Sequence, residues 1–211
     1  MQLVKKYLLP VWLTMLTVFS ANSQNNNWEY KWLRSLADKR TQPGNDFHKT
    51  LSKINGTVCL AVPAGMFITG LIEKNKTLKE NAFFITESIV LSSVITWSLK
   101  KTVGRDRPAV NDPTFTAVLD LHNNSFPSGH TSEAFSMATS LSMKYHKWYV
   151  VVPAFAYAGL SGYSRLYLGV HYPTDVLAGA LVGSGSAWIA CKLNQWLQRD
   201  KRKKQVLPVN H

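Results

Sequence analysis

Polar and apolar residues are laid down along this chain in long blocks, not in a short repeat. Ile54 to Ile72 contains no charge, and Lys74, Lys76 and Lys79 follow it. Asn81 to Leu99 is a second apolar block with one acid, Glu87. A loop rich in Pro and Asn is expected from Lys100 to Pro127. Ser128 to Met143 predicts a weaker helix of Ser, Ala and Thr, closed by a turn at Lys144, His146 and Lys147. Trp148 to Tyr163 is again free of charge. Pro173 to Trp196 predicts a last helix, in which Ala178, Gly179, Gly183, Gly185 and Ala187 suit close packing. Blocks of this length approach the roughly twenty apolar residues that cross a bilayer as a helix.

The chain start differs. Lys5 and Lys6 precede an apolar stretch from Tyr7 to Phe19, and Ala21 and Ser23 offer small residues for cleavage after Ser23. Residues 1–23 therefore read as a secretory signal peptide or, if retained, a first membrane anchor. Residues 24–53 are charged and aromatic, and read as a periplasmic or interfacial segment. Within it Trp28, Trp32, Leu33 and Leu36 predict one amphipathic helix, and Asn45–Asp46 after Pro43–Gly44 predict a second helix start. Residues 54–198 would form the membrane domain and residues 199–211 a basic cytoplasmic tail. The fold class is all-α, a membrane bundle of five to six transmembrane helices.

A net charge of +12 raises the question of nucleic acid. The basic residues are scattered among apolar helices and line no single element, so no nucleic-acid partner is expected. The mean hydropathy of −0.09, the polar third helix and Glu87 keep a soluble helical bundle as the alternative. Cys59 and Cys191 each sit in an apolar block and read as small core residues. No His, Cys or acid cluster has metal-ligand spacing, so neither metal nor other cofactor is expected. Nothing points to an obligate protein partner.

Alternating the spans through a bilayer puts Lys74–Lys79, Lys144–Lys147 and the basic tail on the inner side, in line with the positive-inside rule. The opposite, outer side then receives three motifs. They read Lys100-x6-Arg107-Pro108, Phe126-Pro127-Ser128-Gly129-His130, and Ser164-Arg165-x5-His171-x3-Asp175. Lys100, Arg107 and Arg165 supply fixed positive charge for a phosphate dianion. Ser128 and Gly129 open a helix whose N–H groups favour an anion. With no Cys nucleophile or Walker-type loop placed for phosphate chemistry, a histidine is the remaining nucleophile. His171 fits if Asp175 orients its other ring nitrogen, and His130 is placed to protonate the leaving oxygen and then activate water. Taken singly these residues have plainer readings, Ser128 as an N-cap and Asp175 as a first-turn acid. Lys101 and Arg105 are expected to contact solvent or lipid headgroups. His48, His122, His146, His211, Asp106, Asp112 and Asp120 are expected to carry no chemistry.

These motifs resemble those of the type 2 phosphatidic acid phosphatase superfamily, which includes bacterial acid phosphatases and vanadium haloperoxidases. Every defined position of that pattern is present between Lys100 and Asp175. The resemblance implies a helical bundle with its site at the periplasmic rim. It also implies phosphate binding by Lys100, Arg107, Arg165, Ser128 and Gly129, with His171 as nucleophile, Asp175 as its partner and His130 as acid and base. The implied activity is metal-independent hydrolysis of a membrane lipid phosphate at the bacterial inner membrane. Exported lipid A phosphatases are the nearest analogy. Undecaprenyl diphosphate and phosphatidylglycerol phosphate are the other substrates, and a soluble acid phosphatase is the alternative enzyme.

Overall fold

The computed structural model describes residues 27–121 and 123–206, with side chains to residue 197. The expected signal segment, His122 and His211 lie outside the described residues. Within them all the regular secondary structure is helical. Its helices are α1 (Asn27–Ala37), α2 (Gln42–Ile72), α3 (Lys76–Val103), the short α4 (Pro108–Asn111), α5 (Gly129–Lys144), α6 (Trp148–Tyr167) and α7 (Pro173–Val206).

Helix α2 begins earlier than its apolar block. Thr41 caps it, its Oγ1 accepting the Gly44 N–H at 3.2 Å, and Pro43 fits the first turn where no N–H is needed. The helix then runs unbroken through residues 53 and 54, so the polar segment and the first apolar block share one rod of about 46 Å. Helix α3 also outlasts its apolar block. It ends at Gly104, whose φ of 64° is a left-handed stop open to glycine, so Lys100 lies in the last helical turn, not in a loop.

Among the described residues three segments are long and apolar enough to cross a membrane: Gln42–Ile72, Lys76–Asn111 and Pro173–Leu197. Helices α5 and α6 do not meet that measure. Helix α5 is short and polar because it is the central rod, packed against α2, α3, α6 and α7. Several of its hydroxyls bond the backbone or a neighbouring helix: Ser140 Oγ donates to Ser136 O at 2.7 Å, and Thr96 Oγ1 of α3 and Ser132 Oγ share a bond of 2.8 Å, whereas Ser136 Oγ has no partner among the described residues.

Small residues bring these helices together. Ala134 and Ala138 of α5 face Ala154 and Ala158 of α6. A Cβ on Gly179 would lie 2.7 Å from Ser128 O, and one on Gly183 would overlap Ser132 O. Only glycine lets α7 approach the α5 backbone this closely. Deeper in the bundle Cys59, Phe84, Ile85, Met137 and Ala190 form an apolar core. Near the α6–α7 turn Leu33, Phe115, Leu166 and Tyr172 form another, and this one seats α1.

Helix α1 forms as its spacing predicts, but with a different inner face. Trp28 and Trp32 are exposed, and the buried positions are Glu29 and Leu33. The apolar count of the segment favoured the tryptophans. Burial instead follows the partner surface, where a charged residue of the loop after α3 draws Glu29 inward.

Candidate active site

Four helices and the segments beside them deliver the motif residues to one end of the bundle. The last turn of α3 carries Lys100, and the extended segment after Gly104 carries Arg107. The start of α5 carries Ser128, Gly129 and His130, and the end of α6 carries Arg165. The α6–α7 turn then presents His171, with Asp175 in the first turn of α7.

The three cations are held by oxygen atoms of the protein. Lys100 Nζ donates to Asn124 O at 2.7 Å and to Ser125 O at 3.2 Å. Arg107 Nε donates to Asn123 O at 2.8 Å, its Nη2 to Asn123 Oδ1 at 2.5 Å and its Nη1 to Val170 O at 2.5 Å. Arg165 Nη1 donates to Ser52 Oγ on α2, while its Nε is buried with no partner among the described residues. Backbone and side-chain oxygen dipoles thus offset three like charges, and their donors stay preorganised for an anion.

His171 lies between opposite charges. Its Nε2 is 3.4 Å from Arg107 Nη1, and its Nδ1 is 3.4 Å from Asp175 Oδ2. A guanidinium can only donate, so Nε2 faces the cations with its lone pair and Nδ1 carries the hydrogen. Asp175 Oδ2 is fixed by the Tyr172 N–H at 2.9 Å. Burial first, then the charges of Arg107, Arg165, Lys100 and His130, hold the His171 imidazole well below its ordinary protonation range. A neutral imidazole with Nε2 exposed to a cationic pocket is equipped to attack phosphorus.

His130 is turned toward α2, its Nε2 lying 3.1 Å from Ser52 O. A carbonyl only accepts, so that nitrogen carries a proton. Ser128 occupies the N-cap of α5 without a side-chain cap bond; its Oγ accepts from Thr131 Oγ1 at 2.8 Å. Its N–H donates to Asp175 O at 3.0 Å, which ties α5 to α7 at the site. A Cβ on Gly129 would meet only Thr96 Cγ2, at 3.9 Å. Protein packing therefore does not demand glycine there, and the open side is available to a bound group.

One expectation is corrected. Arg105 does not face solvent or headgroups: it pairs with Asp175 Oδ1 at 2.8 Å and with Glu29 Oε2 at 2.7 Å. Arg105 and Arg107 both lie in the non-helical segment between the α3 stop at Gly104 and α4. That nearness to Arg107 along the chain was the available signal. Glu29, Ser52 and Asn123 carried none, because each reaches the site from a segment without a motif. The plainer readings fit elsewhere. His48 is buried against Tyr167, with ring centroids 4.2 Å apart, and Asp112 pairs with Arg34 at the surface.

The arrangement can be set beside known proteins. A lipid A 4'-phosphatase of Bacteroides thetaiotaomicron is 34% identical over 112 residues, 48% of this chain and 50% of that protein, so the match spans half of that relative's length. The bacitracin transport permease protein BcrC of Bacillus licheniformis is 32% identical over 71% of this chain and 78% of its own. Among solved structures, Aquifex aeolicus LpxE superposes with a TM-score of 0.68 at 32% identity, over 77% of this chain and 94% of that one. A family profile described as the PAP2 superfamily matches residues 81–199, which takes in all three motifs and the helices that gather them. From that match and the shared helical fold, the chain belongs to the PAP2 superfamily.

Proposed function

We propose that this protein is a membrane phosphatase that removes phosphate from a lipid headgroup through a phosphohistidine at His171. The observation that carries the reading is the setting of His171, with its Nε2 lone pair turned to Arg107 and its Nδ1 turned to Asp175. Lys100, Arg107 and Arg165 hold the phosphoryl oxygens as charge shifts in the transition state. Nε2 attacks phosphorus, and His130, as the imidazolium, protonates the leaving oxygen and becomes the neutral imidazole. The imidazole then takes a proton from water, whose oxygen attacks the phosphohistidine and releases phosphate.

The substrate we favour is lipid A, at its 1- or 4'-phosphate. Likeness to the lipid A 4'-phosphatase of B. thetaiotaomicron and to Aquifex LpxE supports this choice. The site would face the periplasm from the inner membrane, level with outer-leaflet headgroups. The exposed Trp28 and Trp32 of α1 suit that depth, since indole rings settle at membrane interfaces.

Mass spectrometry of membrane lipids from cells with and without the gene tests the substrate. Lipid A retaining one more phosphate without the gene is the expected result. Accumulation of undecaprenyl diphosphate or phosphatidylglycerol phosphate instead would replace lipid A as the substrate. The chemistry is tested separately: His171→Ala is expected to abolish phosphate release and leave the protein folded in detergent, and retained turnover would overturn the mechanism.

A further inference from the structure

One charged pair beside His171 and Asp175 has no part in the steps above. Arg105 Nη1 donates to Asp175 Oδ1 at 2.8 Å and to Thr174 Oγ1 at 2.7 Å, and its Nη2 donates to Glu29 Oε2 at 2.7 Å. Glu29 Oε1 in turn accepts from Thr174 Oγ1 at 2.7 Å and from the Thr174 N–H at 3.2 Å. The Arg105 guanidinium lies over the Tyr172 ring, 3.8 Å from its centroid. Glu29 is 1% exposed and Asp175 is fully buried.

We infer that Arg105 and Glu29 are positioning residues that act on His171 through Asp175. Asp175 must present one oxygen to His171 and remain charged in a buried place, which is costly without a partner for the other oxygen. Arg105 is that partner, and together with the Tyr172 N–H on Oδ2 it fixes which oxygen faces the imidazole. A loose cation this close to a phosphate pocket would be drawn to the dianion. Glu29 anchors the second arm of Arg105 and keeps it on the Asp175 side. The interfacial helix α1 thereby becomes part of the site's supporting framework.

This inference rests on His171 being the nucleophile, and the test separates the two. In detergent-solubilised full-length protein, Arg105→Met is expected to lower kcat about 10- to 100-fold, the range seen when an outer-shell partner is removed. KM should stay within about threefold, because no phosphate contact is lost. Arg105→Lys should recover a large part of the loss, and Glu29→Gln, the milder change, should lower kcat by severalfold. In an Asp175→Asn background both substitutions should add less than about threefold, since their effect passes through the carboxylate. A purely structural role predicts the same loss in either background, and that result would overturn the inference. So would wild-type kcat in both Arg105→Met and Glu29→Gln. If Arg105→Met shows no cooperative melting, Glu29→Gln and Arg105→Lys carry the same comparison. If His171→Ala is fully active, it is the nucleophile assignment that fails.

Discussion

Both ends of this bundle are basic, and they treat their cations in opposite ways. At the end formed by the α2–α3 turn Lys76 and Glu80 face each other at 3.8 Å with side chains 86% and 64% exposed. At the opposite end, where the motifs gather, Arg107 and Arg165 are 6% and 2% exposed, and each is tied to a named oxygen. Charge count alone does not separate the two ends. Desolvation and fixed hydrogen bonds do, because a charge in water is screened, whereas a charge held in a dry pocket can act on a ligand.

The contrast breaks most severely if a cation of the motif end is removed. Arg165→Met is expected to cut kcat/KM about 10³-fold, the upper range for loss of one preorganised donor, in a phosphate-release assay. His130→Ala comes next, with a loss of about 10²-fold on a phosphate monoester. Its loss on a diphosphate should be smaller, because phosphate leaves more readily than an alkoxide. Equal losses on both would remove His130 from the acid role.

Gly183→Val tests the packing that gathers the site. Its side chain would run into Ser132 O, so about 1–3 kcal/mol of stability should be lost, read as a lower Tm.

A pH titration sharpens the same contrast at His171. In the unfolded chain the imidazole takes its proton near pH 6.5, and in the folded protein well below that. Between those values the unfolded state binds more protons, so this stability is complete above about pH 6.5 and falls as the pH drops toward the folded value. His171→Asn should therefore show a shallower fall in Tm from pH 7 to pH 5 than the wild type. The smallest effect belongs to the α2–α3 end. Lys76→Gln should change activity less than twofold and stability by about 0.5 kcal/mol or less.

Particular residues show how far the chain could be read without coordinates. Lys100, Arg107, His130, Arg165, His171 and Asp175 announce themselves by spacing, because their chemistry fixes both residue type and distance along the chain. The apolar blocks announce most of the helices, since burial or membrane contact demands long uncharged stretches. Helix ends were less legible. Thr41 and Gly104 set them by capping, while the apolar blocks stop short of both. Ser52 was silent because it acts through a carbonyl that every residue has and a hydroxyl without a motif. Asn123 likewise acts through a carbonyl and a side-chain oxygen that belong to no motif.

By itself the sequence determined the all-helical plan, the family pattern and the identity of the side chains available for phosphate chemistry. These depend on local pattern and residue type. Tertiary structure decided which groups face them. It turned the Nδ1 of His171 to Asp175, placed the Ser52 carbonyl on His130, and brought Glu29 across 145 positions of chain to Thr174. Such pairings come from how separate helices pack, and a buried charge takes as its partner whatever the packing brings within reach.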